Sequence, residues 1–289
     1  MNIYKKESKM KKMMLFTAFA VFLITLNKGE SFAQASQQQV NTLKEKNDKT
    51  IQLFNGQNLD GWYTFLKNRG RDNDPKGVFT VKDGMIRISG EEWGGITTYT
   101  EYENYSLIAE FKWGELNFEP RLENARDSGV LLHSQGEDGS SDGIWINSIE
   151  CQIIEGGTGD FIVVGDGSDR FQITSTVALE KQGNSFVFQP DGHKETINQN
   201  RINWFGRDPE WKDEFGFRGN NNVEKAVGEW NTLECIALNG QISIFLNGVL
   251  VNKATDVKPN KGRIQIQSEG AEIFFRRIEL KPLSNKGNL

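Results

Sequence analysis

Two Asn-Gly dipeptides, eight positions apart, constrain most strongly what this chain can fold into. Asn239-Gly240 and Asn247-Gly248 bracket the apolar segment 241–246. Asparagine and glycine readily adopt the positive φ angles that tight hairpin turns require. The pattern therefore predicts a three-stranded antiparallel meander over roughly residues 232–252, and Asp83-Gly84 predicts a further hairpin.

The same kind of structure is predicted by an alternation of apolar and polar residues along 106–113. One face of this strand would carry Leu107, Ala109, Phe111 and Trp113. Further strands are expected at 51–54, 78–81, 85–89, 128–134, 148–154, 161–164, 171–177, 185–188, 262–267 and 272–281. No stretch shows the long apolar stripe of a helix, and no repeat of a propeller is present. Many short antiparallel strands indicate an all-β fold, a two-sheet antiparallel jelly-roll sandwich.

The N-terminal residues 1–33 are typical of a secretory signal peptide. Several lysines precede an apolar run from Met13 to Leu26, and small residues at Ser31 and Ala33 offer a cleavage site. The run is too short for a helix that crosses a hydrocarbon core of about 30 Å. We therefore expect export to the periplasm or the cell exterior, with no membrane anchor.

The rest of the chain reads as one folded domain with short flanks. Residues 34–49 lack aromatic residues and periodicity, which predicts a flexible leader. The domain is expected at 50–283, followed by a tail at 284–289. Removing residues 1–33 leaves 28 Lys and Arg against 37 Asp and Glu. This acidic balance argues against nucleic acid as a partner.

Two cysteines, Cys151 and Cys235, lie in apolar segments of the sequence. Export would permit a disulfide, whereas burial of two free thiols requires no oxidation. Their number and spacing do not suit a cysteine-based metal site. Both interpretations, a disulfide and two free thiols, stay open from the sequence alone.

Several sequence blocks follow one another in a fixed order. They are LFNG at 53–56, LDGW at 59–62, GGITT at 94–98, DSGVLLH at 127–133, ECQIIEG at 150–156, GDF at 159–161, WNT at 230–232, LNG at 246–248, GRIQIQ at 262–267 and FRRI at 275–278. Together these blocks resemble the 3-keto-disaccharide hydrolase family of the concanavalin A-like lectin/glucanase superfamily. The resemblance implies a sandwich with a concave sugar-binding face and cleavage of glycosides already oxidised to a ketone at C3.

Such a reaction makes modest demands on a protein, because the ketone acidifies the hydrogen on C2. Elimination requires a base near C2, a donor or cation for the enolate oxygen, and an acid for the leaving group. A non-catalytic carbohydrate-binding module is the alternative, since many sandwiches of this kind only bind sugars. An ordinary glycosidase would need two facing carboxylates. Glu150 and Glu155 are the only plausible pair, and strand alternation places them on opposite faces.

Four residues are candidates for catalysis: His133, Glu150, Gln152 and Glu155. His133 ends an apolar segment and could serve as a base or metal ligand, or bond a backbone carbonyl. Alternation sends Glu150 and Gln152 to the face opposite Cys151, where they could orient hydroxyls, hold a divalent ion or be exposed. Glu155 is the weaker candidate. We expect His133 and Glu150 to line one concave pocket, with a divalent metal ion on these two residues left open as a cofactor.

Aromatic rings stack on the apolar faces of sugars, and charged groups bind sugar hydroxyls. The candidates for substrate binding are Asp127, Trp93, Trp145, Trp204 and Arg207. Indoles also fill the ends of sandwiches, so at most two of these tryptophans or Trp211 are expected to touch a ligand. The loop 203–222 is long enough to carry function.

Overall fold

Hairpin turns and alternating apolar residues give this chain an all-β structure. The computed structural model describes residues 50–284. The predicted signal peptide at 1–33, the leader at 34–49 and residues 285–289 of the tail lie outside the described residues. Every regular element between residues 50 and 284 is a strand, which confirms the predicted fold class. The same range contains no helix long and apolar enough to cross a membrane.

The strands follow one another in short steps along the chain. They are β1 (Ile51–Gln52), β2 (Trp62–Leu66), β3 (Gly70–Arg71), β4 (Phe79–Lys82), β5 (Met85–Ile88), β6 (Gly94–Thr98), β7 (Tyr102–Glu103), β8 (Tyr105–Asn117), β9 (Asp127–Gln135), β10 (Asn147–Ile154), β11 (Phe161–Val164), β12 (Gln172–Val177), β13 (Phe186–Val187), β14 (His193–Ile197), β15 (Asn200–Asn203), β16 (Asn231–Leu238), β17 (Gln241–Leu246), β18 (Val249–Lys258), β19 (Lys261–Ser268) and β20 (Ala271–Pro282).

These strands form two ten-stranded sheets. The support sheet has the order β14-β12-β18-β17-β16-β8-β20-β5-β4, with β1 paired to β20. The site sheet has the order β13-β15-β11-β10-β9-β19-β6-β2-β3, with β7 paired to β19. Pairing is antiparallel apart from β13 on β15. Strand β10 therefore lies in the interior of the site sheet, between β9 and β11.

The turn residues behave as their chemistry predicts. Asp83, Asn239 and Asn247 have φ angles of 51°, 53° and 51°, and each is followed by a glycine that also has positive φ. Strands β16, β17 and β18 pair in sequence as the predicted meander. The hairpin prediction is confirmed at all three positions.

The hydrophobic core fills the space between the two sheets. Leu107, Ala109, Phe111 and Trp113 of β8 are all buried in it, as their alternation predicts. Cys151 on β10 and Cys235 on β16 reach the same core from opposite sheets as free thiols. Burial, together with a hydrogen bond to Cys235, raises the pKa of the Cys151 thiol well above its usual value.

Two segments without long strands cover the outer face of the site sheet, the face turned away from the core. In the segment 136–146, Ile146 donates its backbone N–H to Gln265 at 3.2 Å, and Trp145 packs against Leu131. In the segment 204–230, Trp211 donates its indole N–H to the carbonyl of Glu155 at 2.8 Å. Side chains on this outer face are consequently shielded from water although they lie outside the core.

Candidate active site

The site begins with the alternation of side chains along β10. Ile149, Cys151 and Ile153 point into the core. Glu150 and Gln152 therefore point to the outer face, as predicted. Both side chains are nevertheless only 4% and 3% exposed, because the covering segments close over them. The alternative of a solvated polar face is wrong.

Asp127, the first residue of β9, lies beside these two side chains. Gln152 donates from Nε2 to Asp127 Oδ1 at 3.0 Å. Arg121 Nη2 lies 3.1 Å from Asp127 Oδ2. The carboxyl group of Asp127 is also close enough to Glu150 for its charge to raise the pKa of Glu150. Three of the predicted site residues thus share one location.

The carboxyl groups at this location hold their protons unusually tightly. Burial, reinforced by the charge of Asp127, raises the pKa of Glu150 to about 8, although Arg201 and a hydrogen bond with Gln267 act in the opposite direction. Burial raises the pKa of Asp127 to about 7 against the charges of Arg121 and Arg201. Burial and these two carboxyls also raise the pKa of Glu269 well above its usual value. Near neutral pH the cluster therefore gains or loses protons as a coupled set.

A glycine makes room for this cluster in the centre of the sheet. A Cβ atom on Gly129 would lie 2.3 Å from Glu150 Oε1 and 2.3 Å from Gln267 Oε1, so no larger residue fits without displacing them. Gln267 Oε1 is buried without a hydrogen-bond partner. The missing Cβ of Gly129 thus leaves room for the side chains of Glu150 and Gln267.

Two arginines contribute positive charge from the neighbouring segments. Arg207 forms a salt bridge with Asp160, which is fully buried and also accepts the backbone N–H of Trp204 at 2.7 Å. Arg201 on β15 makes one weaker contact with the same carboxylate, at 3.2 Å. Because its side chain is 25% exposed, the guanidinium of Arg201 has further N–H donors available to a ligand.

A cavity of about 510 Å³ opens onto these groups. Its walls include Asp127, Arg121, Arg201, Arg207, Asn203 and Trp211. The walls therefore combine carboxylate and guanidinium groups with one partly exposed indole ring, that of Trp211. Such a mixture suits a polar, ring-shaped ligand better than a purely apolar one.

Residues 49–281 match a family model described as the 3-keto-alpha-glucoside-1,2-lyase-like domain. This is the 3-keto-disaccharide hydrolase family that the sequence blocks resemble. The chain belongs to this family. Membership indicates a carbohydrate-related function for the lyase-like domain. No curated protein matches the chain at a significant level.

Solved structures with a similar arrangement of strands are more distant. Two proteins of Parabacteroides distasonis ATCC 8503, both named as candidate glycosyl hydrolases, have 22% and 18% identity and a TM-score of 0.46 each. The alignments cover 82% and 81% of this chain and 100% and 94% of those chains. The β-glucanase of Bacillus licheniformis has 11% identity and a TM-score of 0.40, over 82% of this chain and 99% of its own.

His133 does not line the cavity at Asp127. Its ring meets the edge of Tyr105, a core residue of the support sheet, at 5.7 Å between centroids. Nδ1 donates to the carbonyl of Pro259 at 2.8 Å, and burial lowers the pKa of His133 to about 4. The expectation that His133 and Glu150 share a pocket is wrong, because a bulge in β9 and a φ of 56° turn His133 inward.

Glu155 also has a different setting from Glu150. It forms a buried salt bridge with Arg126 at 2.6 Å and accepts the backbone N–H groups of Arg126 and Gly216 at 3.0 and 2.8 Å. These contacts tie the segment 204–230 to the start of β9. The structure assigns Glu155 an anchoring role, and its predicted place among the catalytic residues is not supported.

The tryptophans separate into core and cavity positions. Trp204 is 2% exposed within the inter-sheet core, so its predicted contact with substrate is wrong. Trp93 and Trp145 stack on each other at 6.3 Å and pack beside Leu131 on the outer face. Trp211 borders the Asp127 cavity, with the guanidinium of Arg207 over its ring at 4.0 Å. Of the four indoles, Trp211 is the one placed at this cavity.

Within residues 50–284, no group of three or more His, Cys, Asp or Glu side chains is placed to hold a metal ion. His133 does not fit as a ligand beside Glu150, since its ring lies in the core. A role for a divalent metal ion, which the sequence leaves open, stays a prediction.

Four contributors to the site were not predicted as site residues: Arg121, Arg201, Gln267 and Glu269. Gln267 has a usable signal, since Gln265 and Gln267 alternate with apolar residues in the GRIQIQ block and so share a face. Arg121 and Glu269 lie in connections between strands. Nothing in their local sequence indicates where those connections lead.

Proposed function

We propose that this protein is an enzyme that cleaves the glycosidic bond of 3-keto-glycosides by elimination followed by hydration. The observation that supports it is the buried pair Asp127 and Glu150, whose raised pKa values lie near neutrality beside Arg201. Asp127 lines the cavity, and Glu150 lies buried next to Asp127. Carboxyl groups with perturbed pKa values at a cavity are characteristic of acid–base sites. The membership of residues 49–281 in the lyase-like family supplies the substrate class.

The chemistry requires one base and one acid at the same time. The base removes the C2 hydrogen, the electron pair forms the C1–C2 double bond, and the C1–O bond breaks. The departing oxygen takes a proton from the acid. Water then adds at C1 while C2 regains a proton, which gives the free 3-keto sugar and the released alcohol. The net reaction is hydrolysis.

The carboxyl pair suits this division of roles. With pKa values of about 7 and about 8, Asp127 and Glu150 together retain one proton over part of the neutral range. The ionised member acts as the base and the protonated member acts as the acid. Arg201 offers positive charge and free N–H donors to the enolate oxygen that develops at C3.

The direct test is incubation of the purified protein with 3-keto-sucrose or 3-keto-trehalose. Release of reducing sugar is expected, and unoxidised sucrose and trehalose serve as matched controls. Equal rates on oxidised and unoxidised sugars would contradict the keto-specific mechanism. We also propose that the reaction takes place after export, on the basis of the N-terminal sequence.

A carbohydrate-binding module without catalysis is the second candidate. The polar cavity with Trp211 on its wall favours it, because such a cavity can bind a sugar without reacting. Calorimetry followed by analysis of the recovered sugar separates the two functions. Recovery of unchanged 3-keto-glycoside after binding would favour the module, and turnover by a pure preparation would exclude it.

A further inference from the structure

The guanidinium of Arg121 lies between two carboxylates of different origin. Its Nη2 atom is 3.1 Å from Asp127 Oδ2 and 3.0 Å from Asp213 Oδ1. The same atom donates to the carbonyl of Ala125 at 3.0 Å. One cation is thus shared between a carboxyl of the proposed acid–base pair and a carboxyl of the segment 204–230.

Asp213 is held in place by contacts that do not depend on Arg121. Its Oδ1 accepts the backbone N–H of Ala125 at 3.0 Å, and its Oδ2 accepts Nδ2 of Asn124 at 2.9 Å. The nearby backbone N–H of Phe215 donates to the carbonyl of Glu123 at 2.9 Å. The carboxylate is therefore fixed to the residues that lead directly into β9 at Asp127.

We propose that Asp213 is a positioning residue for the reaction: it shares the Arg121 guanidinium with Asp127 and takes up part of its positive charge. The inference rests on the proposed function, since it assigns Asp127 to the acid–base pair. Arg121 bound to Asp127 alone would favour the ionised carboxylate more strongly. Sharing the cation with Asp213 leaves Asp127 able to exchange its proton near neutral pH.

The directions of the electrostatic effects agree with this arrangement. Burial is the largest cause of the raised pKa of Asp127; Arg121 lowers that pKa, and Asp213 raises it. The charged and titratable groups that face Asp127 are Arg121, Asp213, Arg201, Arg207, Glu150 and Glu269. Neutralising Asp213 should consequently lower the pKa of Asp127, and neutralising Arg121 should raise it.

The test compares Asp213→Asn with Arg121→Gln in the full chain. We measure the pH dependence of kcat/KM on a 3-keto-glycoside and the titration of the Asp127 carboxyl by ¹³C NMR. Two pKa values are compared, that of the acidic limb of the kcat/KM profile and that of the Asp127 carboxyl. Both should fall by about half a unit in Asp213→Asn and rise by about one unit in Arg121→Gln. Glu214→Gln removes the same charge at an exposed neighbour, whose contact is Lys212 at 3.7 Å, and should leave both unchanged.

If Asp213 has only a structural role, Asp213→Asn should lower the rate or the melting temperature but leave the pKa of the acidic limb and the pKa of Asp127 unchanged. That result, or shifts in the same direction for both variants, would overturn the inference. If Asp213→Asn fails to fold, an unmoved Asp127 titration in Arg121→Gln is equally decisive. The NMR readout needs no substrate. Opposite shifts in a protein without turnover would therefore reject the proposed function but not the sharing of Arg121 between Asp127 and Asp213.

Discussion

Glu150 and Glu155 are five residues apart in one sequence block, both are buried, and their surroundings differ completely. Glu155 meets a buried guanidinium and two backbone N–H groups. Glu150 forms no salt bridge within the described residues, and burial beside Asp127 raises its pKa to about 8. A carboxylate that neutralises a buried guanidinium is costly to remove from the fold, whereas one left with a titratable proton is available for chemistry.

The largest effect is expected from Glu150→Gln, which keeps the shape of the side chain and removes its ability to exchange a proton. The rate on a 3-keto-glycoside should fall by about 10²–10⁴, as is typical for a lost general acid or base. The melting temperature at neutral pH should be unchanged or higher, because folding of the variant no longer requires this side chain to take up a proton that the unfolded chain releases above about pH 4.5. A near wild-type initial rate with an unchanged melt would place the reaction away from Glu150.

The same substitution at the second glutamate, Glu155→Gln, leaves the Arg126 guanidinium buried without a counter-charge. Breaking a buried ion pair in this way costs about 3–5 kcal/mol in the free energy of unfolding. Denaturant titration measures the loss. Asp166→Asn, which interrupts the largely exposed pair with Arg170, is the control and should cost far less than Glu155→Gln, because solvent screens an exposed pair. Equal losses in both variants would show that Glu155 is not an anchor.

The pH dependence of stability sharpens the contrast further. Burial raises the pKa of Glu150 from 4.5 to about 8, so the folded protein binds this proton more tightly than the unfolded chain. Its contribution to stability is full below the unfolded pKa and is lost as pH rises toward about 8. Stability should therefore decline over that window.

The matched measurement is the free energy of unfolding at pH 5 and pH 8 for the wild type and Glu150→Gln. The decline should be smaller in the variant, since its amide does not titrate. Asp127 and Glu224, whose pKa values burial raises to about 7, keep part of the decline in both proteins. Identical declines would mean that Glu150 ionises normally in the folded state.

The sequence predicts strands well where alternation or hairpin chemistry is strong. Strands β8, β10 and β16 to β18 follow from such patterns. The sequence patterns do not predict β2, β3, β6, β7, β14 or β15, and two of these, β6 and β15, matter most for the site. The five residues of β6 are all buried, so no alternation marks it, and β15 is short and mostly polar. Both strands nevertheless belong to the site sheet, and β15 carries Arg201 into the site.

The site is predicted in part for the same physical reasons. Glu150 and Gln152 follow from simple alternation, and Asp127 is a candidate because a charged group can bind sugar hydroxyls. The prediction for His133 is wrong because the bulge in β9 turns its side chain to the core side of the sheet. No local sequence pattern reveals this bulge. Arg121 and Asp213 meet through tertiary contacts between connecting segments, 92 residues apart in sequence. Contacts of that range require the three-dimensional structure.

The most direct test of the difference between Glu150 and Glu155 is a ¹³C NMR titration of the side-chain carboxyls in the wild-type protein, with Glu150→Gln and Glu155→Gln used to assign the two signals. The signal of Glu150 should titrate well above the usual value of 4.5, near pH 8, and should be coupled to that of Asp127. A Glu150 signal that titrates at or below pH 4.5 would contradict the account, because that carboxylate would then be charged and compensated like an anchor.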